Sequence, residues 1–98
     1  MSFYVYILRC ADGSYYVGHT DDLERRLAAH QNGEISGYAS SRRPVELVFA
    51  EEFASRDEAF LRERQIKGWS RRKKEALIRE DWAGLTLLSR AHGSTSSP

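Results

Sequence analysis

The segment FYVYILRCADGSYYVGHT, residues 3–20, determines the fold class of this 98-residue chain. Phe3–Leu8 is a continuous run of aromatic, β-branched and aliphatic residues, and Tyr15–Gly18 is a second apolar run after the pair Asp12-Gly13. Two strand-forming runs separated by a turn signal predict a β-hairpin. Residues 9–14 are too many for a two-residue turn, so the turn alone does not set the register of the strands.

Polar residues mark three expected helix starts. Asp21 with Glu24 and Ser55 with Glu58 both have the spacing of a capping box, and Ser70 is a third N-cap candidate. The predicted helices end at Asn32-Gly33, at Gly68 and near Glu80. Their inward apolar residues are expected to be Leu23 and Leu27, then Ala59, Phe60 and Ile66, then Leu77 and Ile78.

The rest of the chain completes one small domain. Residues 45–53 have the composition of a third strand, so three strands form a sheet, and the Ser-, Gly- and Arg-rich residues 34–43 before Pro44 predict an exposed loop. Trp82, Leu85, Leu87 and Leu88 are expected to pack the end of the chain onto the core. We therefore predict a single domain over residues 1–88 and a flexible tail over 89–98.

Composition and charge exclude several classes of protein. The chain is 41% hydrophobic and 30% charged, which is typical of a globular protein rather than a disordered one. It has no apolar run of roughly 20 residues and no signal peptide, so we expect a cytoplasmic protein without a membrane partner. Cys10 is the single cysteine, so a metal ion would need oxygen or imidazole ligands.

The basic residues are unevenly distributed although the net charge is only +1. Arg42 and Arg43 form one basic cluster, and the run Arg71, Arg72, Lys73 and Lys74 forms another at the start of the third helix. A helix N-terminus is a mildly unfavourable place for positive charge. Either these residues form a solvated face, or they contact the phosphates of a nucleic acid.

Charged residues also occupy positions close to the apolar sides of two helices. With about 100° per residue, Arg26 and His30 fall beside the Leu23–Leu27 stripe, and Glu63 falls within the apolar sector of the second helix. A buried charge requires a counter-ion or a metal. Glu63 and Arg26 therefore pair with each other, extend their charged ends to the edge of the sheet, or share a functional pocket.

The tyrosines give this pattern a family resemblance. Tyr4-Val5-Tyr6 and Tyr16-Val17-Gly18, separated by nine residues, resemble the paired tripeptides of the GIY-YIG nuclease superfamily. The resemblance continues through residues 18–23, Arg26 and Glu63 and covers about residues 3 to 80. The pattern is similar to that of the small stand-alone bacterial members. Tyr4 stands where the family name has glycine.

The resemblance implies an α+β fold, with a three-stranded antiparallel sheet flanked by about three helices, and an endonuclease or nickase that hydrolyses phosphodiester bonds of DNA, in repair or recombination. It implies magnesium or manganese bound by Glu63, with few protein oxygens and several waters. Tyr6 and Tyr16 would contact and activate the attacking water, Arg26 would stabilise the phosphate, and His19 would assist proton transfer. The DNA contacts are expected at Gly18, His30, Arg42, Arg43, Arg71, Arg72, Lys73 and Lys74.

Three alternatives remain open at the level of sequence. Either tyrosine could be the general base. The domain could instead be a nucleic-acid-binding module with weak or partner-dependent cleavage, or the tyrosines and Glu63 could simply fill the core. The form of DNA and the oligomeric state are not specified by the sequence.

Overall fold

The computed structural model describes residues 2–35 and 37–79. Three strands and three α-helices, with one 3-10 helix at Ser40–Arg42, occur in the order β1 (Phe3–Arg9), β2 (Tyr15–Thr20), α1 (Leu23–Gln31), β3 (Glu46–Phe53), α2 (Arg56–Lys67) and α3 (Arg71–Ile78). The chain divides after Lys67 into two compact units, and α3 belongs to the second. The expected packing of Trp82, Leu85, Leu87 and Leu88 and the expected boundary near residue 88 lie outside the described residues.

The sheet is antiparallel with strand order β2-β1-β3, which confirms the expected α+β fold. The central strand β1 has both edges paired, and Val5, Tyr6, Ile7 and Leu8 are each at most 1% exposed. A strand buried on both faces needs a continuous apolar run rather than an alternating one. The central position of β1 therefore explains why residues 3–8 are continuously apolar.

The turn between β1 and β2 is closed by side-chain hydrogen bonds. Asp12 Oδ1 accepts from the backbone N–H of Ser14 at 3.0 Å and from its hydroxyl at 2.5 Å. Gly13 has a φ of 85°, a left-handed conformation that glycine adopts without strain. This turn brings Tyr6 opposite Gly18 in the β1–β2 pair.

The N-caps of the helices were predicted correctly in two of three cases. The hydroxyls of Ser55 and Ser70 accept from the backbone N–H groups of Glu58 and Lys73, each at 3.2 Å. The prediction of Asp21 as the first cap is wrong by one residue, because Asp22 accepts from Arg25 N at 3.1 Å. Since β2 continues to Thr20, α1 starts one residue later than the capping-box spacing indicates.

The core of the first unit contains contributions from both helices. Tyr6 and Leu8 belong to one buried cluster against which Leu23 and Leu27 of α1 pack, while Ala59 and Ile66 of α2 are 0% exposed. The expectation that Phe60 also points inward is wrong, because its side chain is 43% exposed. Phe60 lies about 100° around the helix from Ala59, and that angle places it on the flank of α2.

In the part of the chain that the structure describes, no helix is both long enough and apolar enough to cross a lipid bilayer.

Candidate active site

The hydroxyl of Tyr6 passes directly over Gly18 on the neighbouring strand. A Cβ atom added to Gly18 would lie 2.6 Å from the Tyr6 hydroxyl oxygen and 2.7 Å from Cζ, and 3.2 Å from Cε2 of Tyr16. Any side chain at this position would therefore displace the Tyr6 phenol. Gly18 was expected to contact nucleic acid; the structure shows that it makes room for a tyrosine.

His30 of α1 lies against both tyrosines. Its Nε2 is 3.0 Å from the Tyr6 hydroxyl, and its ring centroid is 5.8 Å from that of Tyr6 and 5.1 Å from that of Tyr16. Burial, and next the charge of Arg26, lower the pKa of His30, so its imidazole is neutral at pH 7. His30 was expected among the DNA contacts, but it is 1% exposed and is placed in the interior.

Arg26, one turn before His30 on α1, faces the same phenol. Burial, and next the charge of Tyr16, raise the pKa of Tyr6 well above its ordinary value, while Arg26 opposes the rise by its charge and by a hydrogen bond. Tyr6 therefore keeps its proton at neutral pH. Tyr6, Tyr16, Arg26 and His30 form what we call the tyrosine cluster.

Glu63 is the buried carboxylate of α2, 7% exposed as a residue. Its Oε1 is hydrogen-bonded to Nδ1 of His19, and its Oε2 is 2.6 Å from the Lys67 ammonium. Burial raises the pKa of Glu63, but the hydrogen bonds from Lys67 and His19 outweigh it and hold the pKa below its ordinary value. The carboxylate is therefore ionised at neutral pH, and its partners are His19 and Lys67 rather than Arg26. These three residues form the carboxylate cluster.

Strand β2 connects the two clusters. Gly18 lies beneath Tyr6, and the next residue, His19, points to the other face of the sheet because side chains alternate along a strand, where it meets Glu63. The negative charge of Glu63 acts on the Tyr6 phenol and contributes to raising its pKa. The five residues expected to be catalytic, Tyr6, Tyr16, His19, Arg26 and Glu63, are thus brought into two linked clusters around β2.

Glu63 offers a carboxylate of the kind that binds magnesium. Among residues 2–35 and 37–79 there is no group of three or more His, Cys, Asp and Glu side chains that could enclose a metal. Magnesium does not require one, since it is commonly bound by one or two carboxylates and keeps several waters. Glu63 is ionised, and its Oε2 already carries a cation, the Lys67 ammonium, so the position suits positive charge.

The two arginines of the loop before β3 have partners in that loop and in the β1–β2 turn. Arg42 donates from Nε to Asp12 at 3.0 Å, donates to the Tyr38 carbonyl at 2.9 Å, and lies 3.8 Å from the Tyr38 ring centroid. Arg43 donates from Nε to the Ser40 carbonyl at 3.1 Å. The segment expected as an exposed loop thus contains a 3-10 helix and a buried Ala39, and its arginines stabilise that structure.

The basic run of the second unit forms the first turn of α3. Arg71 and Arg72 are exposed, while Lys73 and Lys74 are partly buried. Arg71 pairs with Glu75 at 3.2 Å, and the Lys73 ammonium lies 4.2 Å from the Trp69 ring centroid. Burial lowers the pKa of Lys74. Of the four residues, Arg71 and Arg72 present the most side-chain surface to a phosphate backbone.

Sequence reasoning did not identify Lys67 as a member of the site. A signal was present, because Lys67 follows Glu63 by four residues and the two side chains therefore meet on one face of α2. Phe60 is the second residue that was missed. It was assigned to the core, but its ring contacts His19 edge-on, with centroids 5.7 Å apart.

Comparisons with known proteins identify the family of this chain. Residues 2–76 match the family model of the GIY-YIG catalytic domain. The chain is 48% identical over 77 residues to a UPF0213 protein of Bacillus pumilus, covering 79% of each protein, and 43% identical to the UPF0213 protein YazA of Bacillus subtilis, covering 79% of this chain and 78% of YazA.

Two solved structures also resemble this chain. The solution NMR structure of the UPF0213 protein BH0048 from Bacillus halodurans is 41% identical, covers 98% of this chain and 100% of its own, and superposes with a TM-score of 0.55. The solution NMR structure of EF2693 from E. faecalis is 33% identical, covers 100% of this chain and 94% of its own, and gives a TM-score of 0.54. The chain therefore belongs to the GIY-YIG family, with a nuclease-type domain and small UPF0213 proteins as its relatives.

Proposed function

We propose that this protein is a divalent-metal-dependent DNA endonuclease or nickase that hydrolyses phosphodiester bonds, acting in DNA repair or recombination. The observation that carries the proposal is electrostatic: Arg26 from α1 and Glu63 from α2 both act on the buried phenol of Tyr6. A guanidinium and a carboxylate whose charges both act on one phenol provide charge stabilisation and hydrogen bonding for a phosphate.

The residues of the two clusters take different roles in this proposal. Arg26 binds the non-bridging oxygens of the scissile phosphate, because a guanidinium donates several hydrogen bonds in a fixed geometry. Glu63 holds magnesium or manganese, which when bound offsets the negative charge that develops on the phosphate. His19, hydrogen-bonded to Oε1 of Glu63, orients that carboxylate.

The two tyrosines are distinguished by their exposure. Tyr6 is 1% exposed and has its hydroxyl against His30, and burial raises its pKa, so it is poorly suited to take a proton from water. Tyr16 is partly exposed. We assign contact with the attacking water to Tyr16, and we assign to Tyr6 the positioning of Arg26 and of the neighbouring ring.

The test is cleavage of a panel of labelled DNA substrates by the wild type and by Glu63→Gln. The panel contains single-stranded, duplex, nicked and branched forms, each with magnesium, manganese or EDTA. We expect wild-type cleavage with either metal, none with EDTA, and a loss of at least about 100-fold in Glu63→Gln. Asp57→Asn is the matched control, because Asp57 is an exposed carboxylate on the same helix. Equal cleavage by Glu63→Gln and the wild type would refute the proposal.

One observation favours a second candidate, a nucleic-acid-binding module that cuts only weakly or with a partner. Both oxygens of Glu63 have partners within the protein, which opposes metal binding by the isolated chain. DNA binding that is retained in Glu63→Gln, with no substrate cut by the wild type under any metal condition, would support this candidate instead.

A further inference from the structure

The contact between Lys67 and Glu63 differs from an ordinary ion pair on a helix surface. The Lys67 side chain is 53% exposed, but the carboxylate that it contacts is only 10% exposed. An exposed pair is largely screened by water, whereas a carboxylate withdrawn from water depends on its partner for neutralisation. The Glu63 carboxylate thus has two partners. His19 contacts it from within the protein, and the Lys67 ammonium contacts it from the solvent side.

The ammonium contacts the carboxylate oxygen that would be open to a divalent cation. His19 is hydrogen-bonded to Oε1, so Oε2 is the oxygen left for a metal ion. Lys67 Nζ lies 2.6 Å from Oε2, and a divalent cation bound to the same oxygen would repel the ammonium strongly at such short range. The ammonium and a metal ion therefore compete for this oxygen.

We propose that Lys67 is a built-in competitor for the metal position of Glu63. Its ammonium neutralises the carboxylate in the metal-free protein and moves to solvent when a divalent cation binds. The proposal rests on the proposed function, since it assumes that Glu63 is the metal ligand. Lys67 is the last residue of α2 and half its side chain is already in solvent, so it leaves without unfolding the helix.

The consequence is a reduced apparent affinity for the metal. When a ligand binds only one of two states, its apparent affinity equals its affinity for that state multiplied by the fraction of the protein in that state. If the Lys67–Glu63 pair is formed about nine tenths of the time, the metal binds about tenfold more weakly than to the free carboxylate.

The experiment is calorimetric titration of manganese into the purified full chain, which measures affinity without any substrate. Lys67→Met keeps the length of the side chain and removes the ammonium. Arg64→Met is the matched control, because Arg64 is an exposed cation on the same helix, next to Glu63 in sequence, and its guanidinium lies 5.7 Å from the Phe60 ring centroid. We expect about tenfold tighter manganese binding by Lys67→Met and a change below about twofold in Arg64→Met.

Glu63→Gln separates the failure of this proposal from that of the proposed function. If Glu63→Gln abolishes manganese binding but Lys67→Met binds like the wild type or more weakly, the competitor role of Lys67 is refuted and the metal site stands. If Glu63→Gln binds manganese as the wild type does, or if none of the proteins binds it, Lys67→Met included, Glu63 is not the metal ligand, and both proposals fail. Thermal melts of all four proteins verify that each is folded.

Discussion

Tyr6 and Gly18 are opposite each other in the β1–β2 pair, and the space above Gly18 is filled by the tip of the Tyr6 ring. A Cβ atom there would lie 2.6 Å from the hydroxyl oxygen, and the buried ring is held by its contact with His30. We expect Gly18→Ala to lower the free energy of unfolding by about 1–3 kcal/mol, a typical effect of overpacking. Urea denaturation measures this change.

The control is the same substitution in a Tyr6→Leu background, where the ring and hydroxyl that lie over Gly18 are absent. If the contact with Tyr6 is the reason for glycine at this position, adding Gly18→Ala to the Tyr6→Leu variant lowers its stability less than Gly18→Ala lowers the stability of the wild type. The same loss in both backgrounds would show that another neighbour sets the requirement.

Removing the two phenol hydroxyls one at a time distinguishes the tyrosines. Tyr6→Phe leaves Nε2 of His30 without its partner in the interior, so we expect a loss of about 1–3 kcal/mol in stability. Tyr16→Phe changes a partly exposed residue, and we expect a stability change below about 1 kcal/mol together with the loss of cleavage. Parallel urea and cleavage measurements test both. Full activity in Tyr16→Phe would refute its assigned contact with the attacking water.

Stability should also fall in weak acid because of His30. Burial and the charge of Arg26 lower its folded pKa, so the unfolded chain, whose His30 titrates near 6.5, binds a proton that the folded chain excludes. The sign follows from linkage: below about pH 6.5 protonation favours the unfolded state, and the stability is regained as the pH rises through that value.

Urea denaturation at pH 7.5 and pH 5.5 measures the effect in the wild type and in His30→Gln. The charged and titratable groups around His30 are Tyr6, Tyr16 and Arg26, and Tyr6, whose pKa is raised, keeps its proton throughout this range. Glu63, with its pKa held below the ordinary value, titrates at lower pH. The His30→Gln variant should therefore lose less stability than the wild type between the two pH values, and an equal loss would contradict this origin.

The parts of the fold that follow from neighbouring residues were predictable from the sequence. The hairpin depends on two apolar runs and the Asp12-Gly13 turn, and the caps at Ser55 and Ser70 depend on residues within one helical turn. The start of α1 was misplaced by one residue, because the end of β2 depends on pairing with β1, where Thr20 meets Tyr4.

The candidate site was predictable in its membership but not in its contacts. A helical projection gives the direction in which Arg26, His30 and Glu63 point, and each does face the sheet side of its helix. It does not give what covers a side chain. The burial of His30 beneath two tyrosine rings and the pairing of Glu63 with His19 depend on how α1 and α2 pack on the sheet, which no local pattern determines.

The exposure of Phe60 leads to a prediction about α2. Phe60→Ser removes a side chain that is 43% exposed and contacts the edge of His19, so we expect a loss of no more than about 1 kcal/mol. Ile66→Ala on the same helix removes a residue with 0% exposure and should cost about 2–5 kcal/mol through the cavity that it leaves. Urea denaturation of both variants is the measurement, and a larger loss in Phe60→Ser would place that ring in the core after all.

The salt dependence of DNA binding separates the two basic clusters. Arg71 and Arg72 are exposed on α3, where Arg71 forms a partly exposed pair with Glu75, whereas the guanidinium groups of Arg42 and Arg43 are bonded to Asp12 and to carbonyls of their own loop. Each phosphate contact contributes about 0.7–0.9 to the slope of log affinity against log salt concentration. Replacing Arg71 and Arg72 together by alanine should therefore reduce the slope by roughly 1.4–1.8.

The binding measurement uses the Glu63→Gln background, so that the DNA stays intact during the titration. The matched control replaces Arg42 and Arg43 by alanine, which removes the same formal charge. Because those two side chains hold the loop, we expect the control to lose thermal stability and to change the slope by less than about 0.5. A control slope that falls as far as that of the Arg71 and Arg72 variant would mean that the loop arginines exchange their internal partners for phosphates when DNA binds.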